Sequence, residues 1–154
     1  MAASNSRIFT EDARIHEYGS AANPELRPVP VLVHPPELHE SGPTRVHPFD
    51  LAKHMEIDGS ATSPNLMASF IRINIGETIS TKAMATSQAF YVIRGTGSST
   101  SEHGKMQWSG GDMVVVPVTK GEIVHTCTNA KLGGAALYWI HDQPLLDYLG
   151  VVPR

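Results

Sequence analysis

The stretch GETISTKAMATSQAFYVIRG, residues 76–95, is the part of the sequence that says most about the fold. One glycine begins it and another ends it, and its last part, AFYVIRG, is an aromatic and β-branched run that favours a β-strand. Lys82, Met84 and Gln88 lie between the two glycines. The stretch therefore predicts strand structure bounded by glycine turns.

Strand-like runs separated by glycine-rich turns extend from residue 66 through the rest of the sequence. In SFIRINIG, isoleucines at 71, 73 and 75 alternate with other residues, which predicts one apolar face at the strand period of two. GGDMVVVPV is apolar on both faces and predicts a central strand, and GAALYWIH predicts another. SEHGKMQW predicts a hairpin turn around His103 and Gly104, and DQPLLDYLGV predicts a short helix. This pattern is typical of a closed or double-sheet β architecture.

The N-terminal part of the sequence is rich in proline. Residues 1–48 contain much of it, in NPELRPVPVLVHPPELHESGPTRVHP. Proline removes backbone donors and biases its neighbours toward extended conformations, so the segment predicts an extended arm with short strands. DLAKHMEI predicts a single helical turn. An arm of this length needs a surface to order on, which favours wrapping around the domain or around a second copy in a homodimer.

Composition and charge limit the partners of the protein. Twelve basic and 15 acidic residues give a formal net charge of -3 with no Lys/Arg cluster, which argues against nucleic acid and anionic membranes as partners. No apolar run approaches the length of a membrane span, and the first residues lack an apolar signal region. Cys127 is the only cysteine, which excludes an internal disulfide and a thiolate metal cluster. We expect a cytoplasmic protein with a small, uncharged or weakly charged ligand.

Two short motifs resemble those of the cupins, small β-barrels that place metal ligands inside the barrel. The first cupin motif runs from a glycine through His-x-His and a glutamate to a second glycine, and here its three ligand positions fall on Lys82, Met84 and Gln88. The second motif is matched, with short insertions, by Gly111, Pro117, Gly121, His125 and Asn129. The resemblance implies an all-β fold, a single cupin barrel of the RmlC-like jelly-roll type preceded by the extended N-terminal arm.

Within the cupins, one group is most similar to this sequence. The order AFYVIRGTGSSTSEHGKMQWSGGDMVVVP followed by YWIHDQPLLDYLGV resembles the gentisate- and salicylate-type ring-cleaving dioxygenases. The resemblance covers about the last 85 residues. Members of that group use ferrous iron held by histidines to cleave a hydroxylated aromatic acid with dioxygen. The resemblance therefore implies an oxidoreductase.

The residues at the ligand positions argue against the metal of the family. Ferrous iron for dioxygen chemistry needs about three protein ligands, typically imidazoles and a carboxylate. A protonated Lys82 has no lone pair, the thioether of Met84 suits ferrous iron poorly, and the amide of Gln88 is neutral. His125 is the one metal-ligand candidate that remains. We expect no cofactor, unless other histidines rebuild a site for Fe(II) or another divalent transition metal.

Lys82 and His125 are the candidate catalytic residues. In a half-apolar pocket, desolvation disfavours the charged form of a lysine, which would make Lys82 a base or a Schiff-base nucleophile. As a simple cation it would bind a carboxylate, and an exposed loop lysine is the alternative interpretation. His125 is placed by the second motif. Cys127, two residues further along a strand, faces the same side and could line the cavity with it.

The candidate ligand-binding residues are Gln88, Met84, Cys127 and Tyr91. Gln88 offers an uncharged hydrogen-bonding group where the family has a carboxylate. Met84 is interpreted mainly as core, because methionine is an adaptable filler of the volume that a lost metal would leave. Tyr91 would offer an aromatic wall for a flat ligand, although a barrel core needs such bulk in any case.

Three functions are open from the sequence. The first, which we favour, is binding of an aromatic or other small carboxylate inside a barrel that lacks the usual metal site. The second is gentisate- or salicylate-like ring cleavage at a rebuilt iron site, and the third is a structural or regulatory role with a filled barrel. Whether the protein is an enzyme, either a dioxygenase or a metal-independent lyase or isomerase, is open. The predicted domains are the arm, residues 1–65, and the barrel with a short C-terminal helix, residues 66–154.

Overall fold

Nine strands and three short helices make up the regular structure in the computed structural model, which describes residues 30–128 and 133–154. The strands are β1 Arg45–Pro48, β2 Met67–Ile73, β3 Thr78–Thr81, β4 Ser87–Arg94, β5 Thr96–Ser101, β6 Gly104–Ser109, β7 Met113–Pro117, β8 Ile123–Cys127 and β9 Ala135–His141. The helices are α1 Glu37–Glu40, α2 Ala52–Met55 and α3 Gln143–Leu149. The strands form two antiparallel sheets, of order β1-β2-β9-β4-β7 and β3-β8-β5-β6. This arrangement confirms the predicted all-β jelly-roll fold.

The core lies between the two sheets. Ile71 and Ile73 on β2, Leu137 on β9 and Ile123 on β8 are each 0% exposed. Alternate residues of a strand face opposite sides of its sheet, so the apolar face predicted in SFIRINIG is confirmed up to Ile73. It does not extend to Ile75, which lies past the end of β2 and is 46% exposed.

The segment before β2 packs on the outer face of the five-stranded sheet. β1 pairs antiparallel with β2, and the ring of Phe49 lies edge-on to that of Phe70 at a centroid distance of 4.7 Å. His34 stacks on Phe49 at 4.0 Å. α2 confirms the helical turn predicted from DLAKHMEI. The domain boundary after residue 65 stays a prediction, and residues 1–29 of the predicted arm lie outside the described residues.

Two arginines of the sheet fasten this segment in place. Arg72, only 4% exposed, donates to the carbonyl oxygens of Leu38 at 2.6 Å and Pro43 at 2.7 Å. Arg94 donates from Nη2 to the carbonyl oxygen of His39 at 2.8 Å. The last carbonyl groups of a helix have no partner within it, and the two guanidinium groups supply partners at the end of α1.

The strand predicted to be central from GGDMVVVPV is an edge strand. Among the described residues β7 pairs with β4 alone, and Met113 and Val115 are 62% and 63% exposed. Val114 and Val116 face the core, so the run is apolar on both faces although only one face is covered. β9 is central, as GAALYWIH predicts, and α3 confirms the short helix. None of the helices in the described part of the chain is long and apolar enough to cross a membrane.

The predicted hairpin turn at His103 and Gly104 joins β5 to β6. Ser101 and Gly104 are paired at its base. Gly104 has a φ of 118°, a conformation that side chains with a Cβ rarely adopt and that glycine allows. The glycine therefore fixes the position of the turn that the sequence predicts.

Candidate functional site

His125 lies in a buried hydrogen-bond network inside the barrel. It stands on β8 opposite Ser99 of β5, and its side chain is fully buried. Its ring Nδ1 lies 2.7 Å from Ser99 Oγ, and its Nε2 lies 2.9 Å from Thr81 Oγ1. Ser99 Oγ also accepts a hydrogen bond from Trp108 Nε1 at 2.8 Å. Both nitrogens of the imidazole are therefore engaged by hydroxyl groups of the protein.

Burial keeps the His125 ring neutral near pH 7. Removal from water lowers the pKa of this histidine from 6.5 to about 4, because the charged form loses its hydration. A neutral imidazole donates from one nitrogen and accepts at the other, and a hydroxyl group can do either, so the two neighbours fit both tautomers. The one lone pair of the neutral ring is therefore engaged with a hydroxyl group, and the ring is buried away from solvent.

Aromatic side chains occupy the space beside this network. The ring of Phe90 lies 4.9 Å from that of His125 and is parallel to that of Trp139 at a centroid distance of 5.9 Å. Trp139 Nε1 donates to Gln88 Oε1 at 3.0 Å, and Gln88 is 1% exposed. Two aromatic rings and a hydrogen-bonded amide thus lie beside His125 inside the barrel.

The chain between β3 and β4 places two of the predicted ligand positions outside the barrel. Thr81, Ala83 and Ala85 are 3%, 3% and 1% exposed. Lys82 is exposed, and Met84 is 46% exposed. The interpretation of Met84 as core is therefore wrong, and Lys82 does not lie in a half-apolar pocket. The catalytic role of Lys82 stays a prediction, but the half-apolar pocket on which that prediction was based is absent at this residue.

The other predicted site residues divide between the two sides of the barrel wall. Gln88 and Cys127 are each 1% exposed and, like His125, face the interior. Tyr91 is 42% exposed on the outer face of β4, opposite Met113 of β7, so it forms no wall inside the barrel. Ligand binding by any of these side chains stays a prediction. Asn129 of the second motif lies outside the described residues.

The donor set around His125 does not fit ferrous iron. Within residues 30–128 and 133–154, no three His, Cys, Asp or Glu side chains form a group that could hold a metal ion. The polar neighbours of the ring are hydroxyl groups, and the side-chain oxygen of Gln88 is engaged by Trp139. Ferrous iron in oxygen-activating proteins takes imidazole and carboxylate ligands. The likeness of the sequence to iron-dependent cupins does not extend to these donors.

Thr81 and Ser99 are the site residues that sequence reasoning does not identify. The one available signal for Thr81 is the alternation of small residues in TKAMA, which marks inward-facing positions at the strand period. Ser99 lies in SSTS, which has no such pattern, and faces inward because it pairs with His125. Gly97 completes the arrangement, because a Cβ on this residue would lie 2.3 Å from the ring of Trp108.

A second candidate site is a surface cleft of about 890 Å³ between residues 56–65 and α3. Its apolar and acidic side chains include Ile57, Pro144, Tyr148, Glu56, Asp58 and Asp147. The volume lies within the range of small-molecule sites. No lysine or arginine is among the described residues that line it. The cleft therefore favours a neutral or cationic ligand over a carboxylate.

Solved structures with a similar fold include a ring-cleaving enzyme. A variant of salicylate 1,2-dioxygenase from Pseudoaminobacter salicylatoxidans matches 60% of this chain at 24% identity with a TM-score of 0.50. The same enzyme with gentisate matches 62% at 23% identity with a TM-score of 0.50. The EutQ protein of Clostridium difficile matches 64% of this chain and 68% of its own at 18% identity, with a TM-score of 0.45. No family model matches the sequence, and no curated protein does.

The match to the dioxygenase concerns the fold alone. This chain spans 25% of the length of that enzyme. At such identity a shared fold does not transfer an activity, since one fold supports many unrelated functions. The resemblance to the cupins drawn from the two motifs is confirmed as a resemblance of fold.

Proposed function

We propose that this protein is a cupin-fold scaffold whose barrel is filled by its own side chains and whose function is exerted from its surface. The observation behind the proposal is the saturation of His125, whose ring nitrogens bond to Ser99 and Thr81. The parallel rings of Phe90 and Trp139 occupy the neighbouring space. Of the three functions open from the sequence, this geometry best supports the structural or regulatory one.

The other two functions need groups that the described interior does not offer. Binding of an aromatic carboxylate in the barrel would be favoured by a cation on its wall, and Lys82 is exposed instead. Ring cleavage needs imidazole and carboxylate ligands for iron, which the described residues do not group together.

The two tryptophans of the chain provide a direct test. The indole N–H groups of Trp108 and Trp139 are buried and hydrogen-bonded. We expect both to exchange slowly with deuterium, at a rate set by global unfolding, because a filled barrel admits no water between unfolding events. Their NMR resonances should not change when ferrous iron, salicylate or gentisate is added under anaerobic conditions. Fast exchange, or a shift of both resonances with any additive, would refute the filled barrel.

A second candidate function is binding of a small molecule in the surface cleft. Its volume of about 890 Å³ is sufficient for a ligand, and the carboxylates of Glu56, Asp58 and Asp147 line it. Tyr148, at 85% exposed, offers an aromatic face that a cation would favour. The chemistry points to an amine with an apolar body, in place of the carboxylate ligand favoured from the sequence.

Benzylamine and benzoate test the cleft, because they have similar size and opposite charge. We expect benzylamine to shift the NMR resonances of Ile57 and Tyr148, and benzoate to leave them unchanged. Asp147→Asn should weaken the response to the amine by removing one lining charge. Glu122→Gln removes an exposed carboxylate outside the cleft and is the matched control. Equal responses to the two compounds, or none to the amine, would exclude this function.

A further inference from the structure

The five-stranded sheet ends in a strand whose free side is apolar. β7 pairs with β4, and none of the other strands within residues 30–128 and 133–154 pairs with it. Met113 and Val115 are 62% and 63% exposed. Tyr91 of β4, directly opposite Met113, is 42% exposed. We call Tyr91, Met113 and Val115 the β7 strip.

The backbone of β7 adds unpaired hydrogen-bonding groups to this strip. The carbonyl oxygen of Asp112 accepts a bond from β4 at 2.9 Å, and the bonding direction alternates along an antiparallel strand. The backbone groups of Val114 and Val116 therefore bond toward β4. Those of Met113 and Val115 are directed to the free side. An incoming strand would meet apolar side chains and strand hydrogen-bonding groups at the same two residues.

The other sheet edges are polar. β1 presents Arg45 and ends in Pro48, β6 exposes Lys105 and Gln107, and β3 exposes only hydroxyl side chains. Charges and prolines on edge strands prevent pairing with other chains. β7, with the sequence MVVVP, has no charge, and its one proline stands at its end. β3 also lacks a charge and a proline, but its exposed side chains are hydroxyl groups, so β7 is the edge whose exposed side chains are mainly apolar.

We propose that the β7 strip is the surface through which two copies of this chain associate, with β7 of each copy pairing antiparallel across a two-fold axis. A two-fold contact needs a surface that fits itself, and a strand paired antiparallel with its own copy satisfies this condition. The strip is uncharged, so two copies with a formal net charge of -3 each meet there without placing like charges in contact. The acidic cleft is a poorer surface for such a contact, because two copies meeting there would bring carboxylates together.

The extent of the strip sets the expected affinity. A standard protein interface buries about 800 Å² on each partner, and one short strand with three exposed side chains supplies less than that. We expect a reversible dimer with a dissociation constant in the micromolar range. The sequence predicts a homodimer ordered by the N-terminal arm, whereas the contact proposed from the structure lies at β7, and it does not depend on whether the barrel is filled.

Sedimentation velocity over roughly 1 to 500 µM protein tests the proposal, because this range brackets a micromolar dissociation constant. The wild-type chain, 16.7 kDa, should shift toward twice that mass as its concentration rises. Val115→Lys places a charge on each side of the two-fold contact and should weaken association at least about tenfold. Gln107→Lys adds the same charge to the exposed edge of β6 and should dimerise like the wild type.

A second variant and a folding control separate loss of association from loss of folding. Tyr91→Lys changes the strip from the neighbouring strand, at a side chain that is 42% exposed, and should also weaken association. Circular dichroism of each variant should match that of the wild type. A wild type that stays monomeric throughout, or a dimer that both strip variants leave intact, overturns the proposal. Equal loss in Gln107→Lys overturns it as well, because the effect would then come from added charge anywhere on the surface.

Discussion

The hydrogen bonds of His125 separate it from a metal-binding histidine. A metal-binding histidine keeps one ring nitrogen for the metal while a second group holds the other. In this protein Ser99 and Thr81 engage both nitrogens, and the residue is 0% exposed. The second motif correctly placed His125 inside the barrel. It could not reveal the two partners, because they come from different strands and nothing in the motif refers to them.

The contribution of the network to stability can be measured at Ser99. Ser99→Ala leaves the indole N–H of Trp108 and one ring nitrogen of His125 without their partner in a buried site. We expect the free energy of unfolding to fall by roughly 2–4 kcal/mol, since each buried unsatisfied group costs about 1–3 kcal/mol. Urea denaturation followed by tryptophan fluorescence gives the value. Ser80→Ala, at an exposed position on β3, should change it by less than about 0.5 kcal/mol. Equal effects would contradict the network.

The buried imidazole also predicts a pH dependence. Burial lowers the pKa of His125 from 6.5 to about 4, so between these values the unfolded chain binds a proton that the folded chain excludes. Its contribution to stability is full above pH 6.5 and is lost as the pH falls toward 4. At about 1.4 kcal/mol per pKa unit, the loss from this group approaches roughly 3 kcal/mol.

Urea denaturation at about pH 7 and about pH 4.5 measures this loss. His125→Gln retains a neutral hydrogen-bonding group that does not titrate, so its stability should fall less than that of the wild type over the same interval. Burial also lowers the pKa of His141 to about 4, and that contribution is common to both proteins. An identical decrease in the two would mean that His125 is not the titrating group.

The N-terminal segment shows what a composition can and cannot predict about an element. Within residues 30–48 the segment contains one helical turn, α1, and one short strand, β1, and the extended course predicted from its prolines stays a prediction. The prolines could not indicate that the segment would lie on the sheet, because its anchors are Arg72 and Arg94, distant in the sequence. Arginines whose partners are backbone carbonyl groups are not visible in a sequence pattern.

Replacement of Arg72 should loosen this segment. Arg72→Leu leaves the carbonyl groups of Leu38 and Pro43 without their donor, and we expect the free energy of unfolding to fall by roughly 2–4 kcal/mol. Limited proteolysis should then cut faster near residue 40. Arg45→Leu, at the exposed position directly across from Arg72 on β1, is the matched control and should have little effect. Proteolysis at the wild-type rate in Arg72→Leu would show that the hydrogen bonds of Arg72 do not hold the segment on the sheet.

The wrong prediction for β7 has a physical cause. An apolar run with no polar face indicates burial on both sides, and the sequence cannot tell which chain supplies the covering surface. Met113 and Val115 are exposed in the single chain. A second copy paired at β7 would place a neighbouring strand beside both side chains and leave the outer face of the sheet open.

For the whole molecule, the fold was more predictable than the site. Strand alternation and glycine turns are local sequence patterns, and each remains recognisable when a single residue is substituted. The motif spacing places the family's ligand positions at 82 and 84, whereas Thr81 and Ala83 are the buried residues. A shift of one residue exchanges the two faces of a strand, so spacing that agrees with a family to within one residue can still place the wrong side chain inside.

The barrel and the segment before it should behave as one folding unit. Phe49 contacts Phe70, and Phe70 in turn contacts Tyr138, so removal of the segment uncovers aromatic rings on the outer face of the sheet. A chain that begins at Leu51 also loses β1 and its pairing with β2. We expect its free energy of unfolding to fall by at least about 3 kcal/mol, the usual loss when a buried aromatic side chain is removed.

Urea denaturation and binding of a fluorescent apolar dye measure these two consequences, since newly exposed aromatic surface binds such dyes. Phe49→Ala in the full chain removes the ring while keeping β1, and it should give an intermediate loss with weaker dye binding. If the shortened chain is as stable as the full one and binds no dye, the part of the segment before Leu51 is dispensable for the stability of the barrel. The expected result is the opposite, because the segment covers part of the outer face of the five-stranded sheet. Arg72 is 4% exposed in that part and donates to the carbonyl groups of Leu38 and Pro43 in the segment.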